Sequence, residues 1–103
     1  MDGIIRVEKI VAEFDVWLDA SLFPLPRMRV KVIERSRDDY LAVANLRRRD
    51  AISHEPEGIS GLGNTIDESL SDLLTGFVAE ARKNVPVGGF DESDFEWSAP
   101  EDF

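Results

Sequence analysis

The sequence predicts an α+β fold in which a small antiparallel three-stranded sheet carries one long helix packed across it, in the order strand, strand, strand, helix. Three observations predict it. From Met28 to Ala44 apolar residues recur with the period of two that strands require, interrupted by the polar turn Ser36-Arg37-Asp38-Asp39. Gly58 to Asn64 reads as a glycine-rich strand end. Ile66, Leu70, Leu73, Leu74, Phe77, Val78 and Ala81 then recur at the three- and four-residue steps that place one apolar stripe on a helix.

In chain order, residues 1–27 form an N-terminal extension that supports two readings. Val7, Ile10, Val11, Phe14, Trp17 and Leu18 fit a helical stripe, with Lys9 and Glu13 paired at i,i+4, and Asp2 is placed to cap its start. Ile10, Ala12, Phe14, Val16 and Leu18 equally alternate with Glu13, Asp15 and Asp19, as in a half-buried strand. The helix is preferred because its stripe is longer. Ser21 to Pro26, with its two prolines, is a stiff connection.

Residues 28–84 hold the sheet and helix. Met28, Val30 and Val32 alternate with Arg29 and Lys31, and Tyr40 to Ala44 completes a hairpin. Leu46 to Glu57 is expected to be a charged loop, followed by a short strand near Ile59 to Leu62. The helix from Ile66 to Lys83 would run about 27 Å. Thr65 and Glu68 have capping-box spacing, Asp67 and Glu68 suit the positive end of the dipole, and Arg82 and Lys83 suit the negative end. Asn84 offers a left-handed cap and Pro86 blocks continuation. Gly76, inside the helix, costs about 1 kcal/mol against alanine, and is expected to mark either a close approach by another segment or a weak spot.

Residues 85–103 read as an acidic, aromatic tail, expected to be mobile because glycine, proline and like charges argue against a packed element. All 12 Lys and Arg lie at or before Lys83, whereas six of the 21 acids lie beyond it, leaving 15 acids against 12 bases in the body. The net charge of −9 is therefore concentrated in the tail. Such a surface repels nucleic acid and speeds encounter with basic partners. Asp91, Glu92, Asp94 and Glu96 are the candidate partner-binding carboxylates, with Phe95 and Trp97 as aromatic anchors. A second reading, that some of these aromatics pack back on the domain, stays open.

The chain has no cysteine, so disulfides and thiol chemistry are excluded, which suits a reducing cytoplasm. No apolar run reaches membrane-spanning length, and Met1-Asp2-Gly3 begins nothing that resembles a signal peptide. The expectation is a cytoplasmic protein without membrane contact.

Lys31-Val32-Ile33-Glu34, the polar turn, Tyr40-Leu41-Ala42-Val43 and the stretch Gly58 to Leu70 together resemble the HicB-like antitoxins. That family shows a hairpin, then glycine, four residues, glycine, a polar residue and threonine leading into an acidic helix start. In this chain Gly58, Gly63, Thr65 and Glu68 stand at those positions, as turn and cap residues. The resemblance covers roughly Met28 to Lys83. It implies a partial RNase H-like fold without nuclease activity, and a role in binding and neutralising a small basic ribonuclease toxin of the HicA type. Family members often add a C-terminal DNA-binding module. The extension Met1 to Arg27 and the acidic C-terminus lie outside that pattern, so direct nucleic-acid contact is not expected.

Other chemistry reads weakly. Gly58 to Thr65 has the glycines and threonine of a phosphate-binding loop but Asn64 in place of its lysine. His54 is the only histidine, and its neighbours Glu55 and Glu57 lack metal-ligand spacing. Asp38, Asp39, Asp67 and Glu68 are the carboxylates a two-metal nuclease would need to bring together, yet they read as turn and cap. Arg47-Arg48-Arg49 beside Asp50 reads as a solvated loop. The expected function is a non-catalytic antitoxin, with no metal or cofactor, that binds a basic protein partner. Homodimers or higher homo-oligomers are expected because strands of a small sheet pair readily. The alternative is an orphan HicB-like domain acting as an adaptor or inhibitor, and a metal-dependent nuclease ranks last.

Overall fold

Period-two alternation builds more of the molecule than the sequence reading allowed. The computed structural model describes residues 2–103 and contains β1 (Lys9–Trp17), β2 (Arg27–Ser36), β3 (Asp39–Ala44), β4 (Leu46–Arg49), β5 (Pro56–Glu57), β6 (Ser60–Gly63), α1 (Ile66–Lys83) and β7 (Phe95–Trp97). The expected single three-stranded sheet is corrected to two antiparallel sheets, one of four strands in the order β1-β2-β3-β6 and one of three in the order β5-β4-β7.

The N-terminal element is a strand, not the preferred helix. It pairs with β2 from Lys9↔Glu34 to Trp17↔Arg27, with a register shift between Ile10 and Ala12. An extra residue at Val11 sets two apolar residues side by side and breaks the alternation, which is how a bulged strand comes to imitate a helical stripe. The turn from β2 to β3 holds Asp38 at φ 57°, a left-handed conformation that aspartate tolerates.

Helix α1 begins and ends where its periodicity predicts. Thr65 accepts from the Glu68 N–H at 3.0 Å, and the Glu68 carboxylate accepts from the Asn64 N–H at 2.8 Å. Asn84 does not adopt the expected left-handed cap. At φ −121° it closes the helix with its side-chain amide, which donates to the Glu80 carbonyl at 2.7 Å. The helix lies mainly over β6 and β3. Only glycine permits that approach at Gly61, where an added Cβ would stand 2.1 Å from the Ser69 carbonyl oxygen and 2.4 Å from the Leu73 nitrogen. At Gly76 the close neighbour is a side chain, with Ile59 Cδ1 2.9 Å from where a Cβ would sit.

One core joins all three parts of the chain. Met28, Val30 and Val32 from β2 meet Leu73, Phe77 and Ala81 from α1, and Phe23 and Phe95 join the same cluster. Phe23 stacks on Phe77 at 5.4 Å and meets Phe95 edge-on at 6.0 Å, while Phe90 meets Phe95 at 5.1 Å. The connection 18–26 is tied by the Asp19 carbonyl, which accepts from Leu22 and Phe23. Asn45 makes the switch between sheets. Its N–H donates to the Arg29 carbonyl, its side-chain oxygen accepts from the Arg29 N–H, and its carbonyl accepts from Ser98.

Candidate functional site

Segment 85–103 carries a packed element, contrary to the expectation, because β7 pairs with β4 through Leu46↔Trp97, Arg47↔Glu96 and Arg48↔Phe95. This explains why Leu46 to Glu57 is not the charged loop expected. Leu46 and Arg48 turn inward and are buried, and Arg47 and Arg49 alternate to the opposite face, where both are half-buried. Arg48 keeps its charge paired, donating to Glu57 at 3.0 Å and to the Arg49 carbonyl at 3.1 Å. Beside it a cavity of about 310 Å³ is lined by Arg48, Glu57, Ile59, Phe77, Glu80 and Phe95.

The six candidate partner-binding residues separate into distinct roles. Asp91 and Asp94 cap the short 3₁₀ turn Glu92–Asp94. The Asp91 carboxylate accepts from the Ser93 hydroxyl at 2.7 Å, and the Asp91 N–H donates to Asp94 at 2.8 Å. The Ser93 hydroxyl, followed by the Ser93 N–H, holds the Asp91 carboxyl below its ordinary value. Glu92 is exposed, and Glu96 pairs with Arg49 at 3.6 Å. Phe95 is buried in the chain's own core at 6% exposure, so it is no anchor for a partner, whereas Trp97 remains 46% exposed. The aromatic anchors therefore reduce to Trp97. The side chains of Glu92, Glu101 and Asp102 are exposed, have no ion-pair partner among the described residues and stand on a segment that β7 holds in place, whereas the half-buried Asp94 is engaged by the Asp91 N–H.

The glycine motif also divides. Gly63 sits against the helix start, where a Cβ would stand 2.5 Å from Glu68 Cβ and from the Ser69 nitrogen, while Gly58 has only an ordinary 3.6 Å contact with Arg47 Cδ. Gly61, which the motif spacing did not single out, is the tighter requirement. A signal for it existed, since its register partner Ala42 is, with Ala44, one of two small residues on the inner face of β3.

The carboxylates weighed for nuclease chemistry stay dispersed. Asp39 accepts from Arg35 at 2.9 Å in the β2–β3 turn, and Glu68 is engaged at the helix start. Among the described residues no three His, Cys, Asp or Glu side chains lie close enough to share a metal ion. His54 is exposed at φ 60°, its N–H donating to the Asp50 carbonyl. No described helix is long and apolar enough to cross a membrane.

One buried cation was missed. Lys31, at 4% exposure on the sheet face away from α1, donates to the main-chain oxygen of Phe103, lies 4.9 Å over the Phe103 ring and pairs with Glu8 at 3.6 Å. Both ends of the chain thus meet over β2. No protein-family model, curated protein or solved structure matches this chain.

Proposed function

We propose that the protein is a non-catalytic binding protein that sequesters a basic partner protein in the cytoplasm. The observation that carries this reading is the fixed display of acids on residues 85–103, where Phe95 turns into the core and Glu92, Glu101 and Asp102 stay outside without cations among the described residues. A surface so arranged lowers the entropy lost on docking and steers a positively charged partner. A small ribonuclease toxin of the HicA type is the partner named by the resemblance, which rests on the stretches 31–34, 40–43 and 58–70 of the sequence. Inhibition would then be steric, by covering the basic surface that RNA uses.

The test is to search the reading frames beside the chain's own for a small basic protein, to co-express the chain with it and to measure RNA cleavage by that protein. Stoichiometric addition of the chain should abolish cleavage, and the double variant Glu92→Lys, Glu101→Lys should weaken the complex by about tenfold. A basic neighbour that neither co-purifies with the chain nor loses activity in its presence removes the reading.

A further inference from the structure

Strand β1 is an edge of the four-stranded sheet, nine residues long, with no strand on its outer side. Its hydrogen-bonding phase follows from the Leu18 N–H, which donates to the Pro26 carbonyl at 2.9 Å and continues the register Trp17↔Arg27, Val16↔Met28. In an antiparallel ladder these groups alternate. Ala12, Phe14, Val16 and Leu18 therefore turn their N–H and C=O groups to β2, and Glu13, Asp15 and Trp17 turn theirs to the free edge. The opposite edge is closed, since the Leu62 N–H on β6 donates to Asp72 at 2.9 Å and the next outward amide, Asn64, donates to Glu68.

The two faces beside the free edge differ in chemistry. On the helix side α1 lies over β6 and β3 and leaves a groove of about 490 Å³ between β1 and its own flank, floored by Val16, Leu18, Phe23, Met28, Leu74 and Val78. On the far side stand Glu13 and Asp15, while Asp19, beyond the end of the strand, lines the groove with Arg82; Asp15 is shared with Arg29 at 3.4 Å, and Glu13 has no ion-pair partner among the described residues. The cations near this edge are each engaged or set back from it: Lys9 pairs with Glu34 at 3.1 Å, Arg27 lies 5.2 Å over the Trp17 ring, Arg29 pairs with Asp15, Lys31, opposite Glu13, is buried and pairs with Glu8 at 3.6 Å, and Arg82 stands at the groove mouth.

We propose that the free edge of β1 and the groove beside it form a strand-addition site for an extended segment of a basic partner protein, in which apolar side chains alternate with Lys or Arg. The backbone of such a segment pairs with Glu13, Asp15 and Trp17. Its alternate side chains fall on opposite faces, the apolar ones into the groove and the basic ones beside Glu13 and Asp15. A second copy of this chain fits less well, because an antiparallel β1–β1 pair centred on residues 13 to 15 sets Glu13 or Asp15 against an acid of the other copy, and like charges directly opposite destabilise a ladder. The site deepens the sequestering role proposed above, and rests on that role for the basic character of the partner.

The probe is a fluorescent peptide of alternating valine and lysine, about ten residues long to match a long strand, titrated into the full chain by anisotropy. The expected result is saturable binding that weakens about tenfold from low to high salt, and no binding of the valine–glutamate counterpart. N-methylation of one alternate set of peptide amides should abolish binding and methylation of the other set should spare it, because only one set faces β1. Glu13→Pro removes an outward donor without breaking a bond to β2, and should abolish binding with an unchanged circular-dichroism spectrum. If that variant does not fold, the methylated peptides still decide the matter on the unaltered chain. Equal binding of both methylated peptides overturns the site, as does a chain that dimerises through β1 and excludes the peptide. A whole basic partner that co-purifies as well with Glu13→Pro as with the original chain also overturns it, while leaving the sequestering role intact.

Discussion

The two edges of the four-stranded sheet are finished in opposite ways. At β6 the helix presses down on Gly61 and Gly63, and two carboxylates from that helix, Asp72 and Glu68, take up the outward amides of Leu62 and Asn64. At β1 neither device exists: no helix covers the inner face, and Glu13, Asp15 and Trp17 present unpaired backbone to the outside. An unpaired strand edge is a template for another strand unless something blunts it. The contrast teaches that this chain protects one edge with specific side chains and leaves the other accessible, guarded against its own copies chiefly by like charge.

The strongest way to break the closed edge is Gly61→Ala. The new Cβ would meet the backbone of Ser69 and Leu73 at 2.1 and 2.4 Å, and backbone within a packed helix cannot rotate away. The expected loss is about 3 kcal/mol, the upper end of overpacking costs, read as a lowered midpoint in urea. Gly58→Ala is the matched control. With 3.6 Å to Arg47 Cδ it should change stability by less than about 0.5 kcal/mol.

A smaller effect is expected from Asp72→Ala, which deprives the Leu62 N–H of its acceptor while leaving the helix on the sheet. Stability should fall by about 1 kcal/mol. The more telling readout is association, because the uncapped edge becomes available and should self-associate in sedimentation velocity at concentrations where the original chain does not. Asp72→Asn retains an acceptor oxygen and should restore the unassociated state.

The same contrast explains what could be read from sequence. Helix α1 was legible to the residue, since stripe, Thr65 cap, acidic first turn and basic last turn are all local signals that agree. Strand β1 was not, for two physical reasons. The bulge at Val11 disrupts its period, and without a helix above it the inner residues Ala12, Phe14 and Val16 are only half-buried, so burial imposes a weaker alternation on them. The second sheet was invisible for another reason. Strands β4, β5 and β7 are four, two and three residues long, and β4 meets β7 across nearly half the chain, so neither period nor turn chemistry announces the pairing. Of the candidate partner-binding residues the acids were legible by charge, but the burial of Phe95 depends on Phe23, Phe77 and Phe90, which only the tertiary fold brings together.

The last consequence of the comparison changes no stability at all and is read in amide hydrogen exchange. In β1 the N–H groups of Phe14 and Val16 point to β2 and should be protected, while those of Glu13, Asp15 and Trp17 point outward and should exchange at rates close to those of exposed loops, an alternation with period two along one strand. At the other edge the Leu62 amide should be protected although it also faces away from its neighbouring strand, because Asp72 holds it at 2.9 Å. The discriminating measurement is the ratio of Leu62 to Asp15 exchange within one sample. Equal rates would mean that the carboxylate cap does not close β6 in solution or that β1 is already covered, and Asp72→Ala separates the two: it leaves an already fast Leu62 unchanged in the first case, and in the second it speeds a slow Leu62 while Asp15 stays slow.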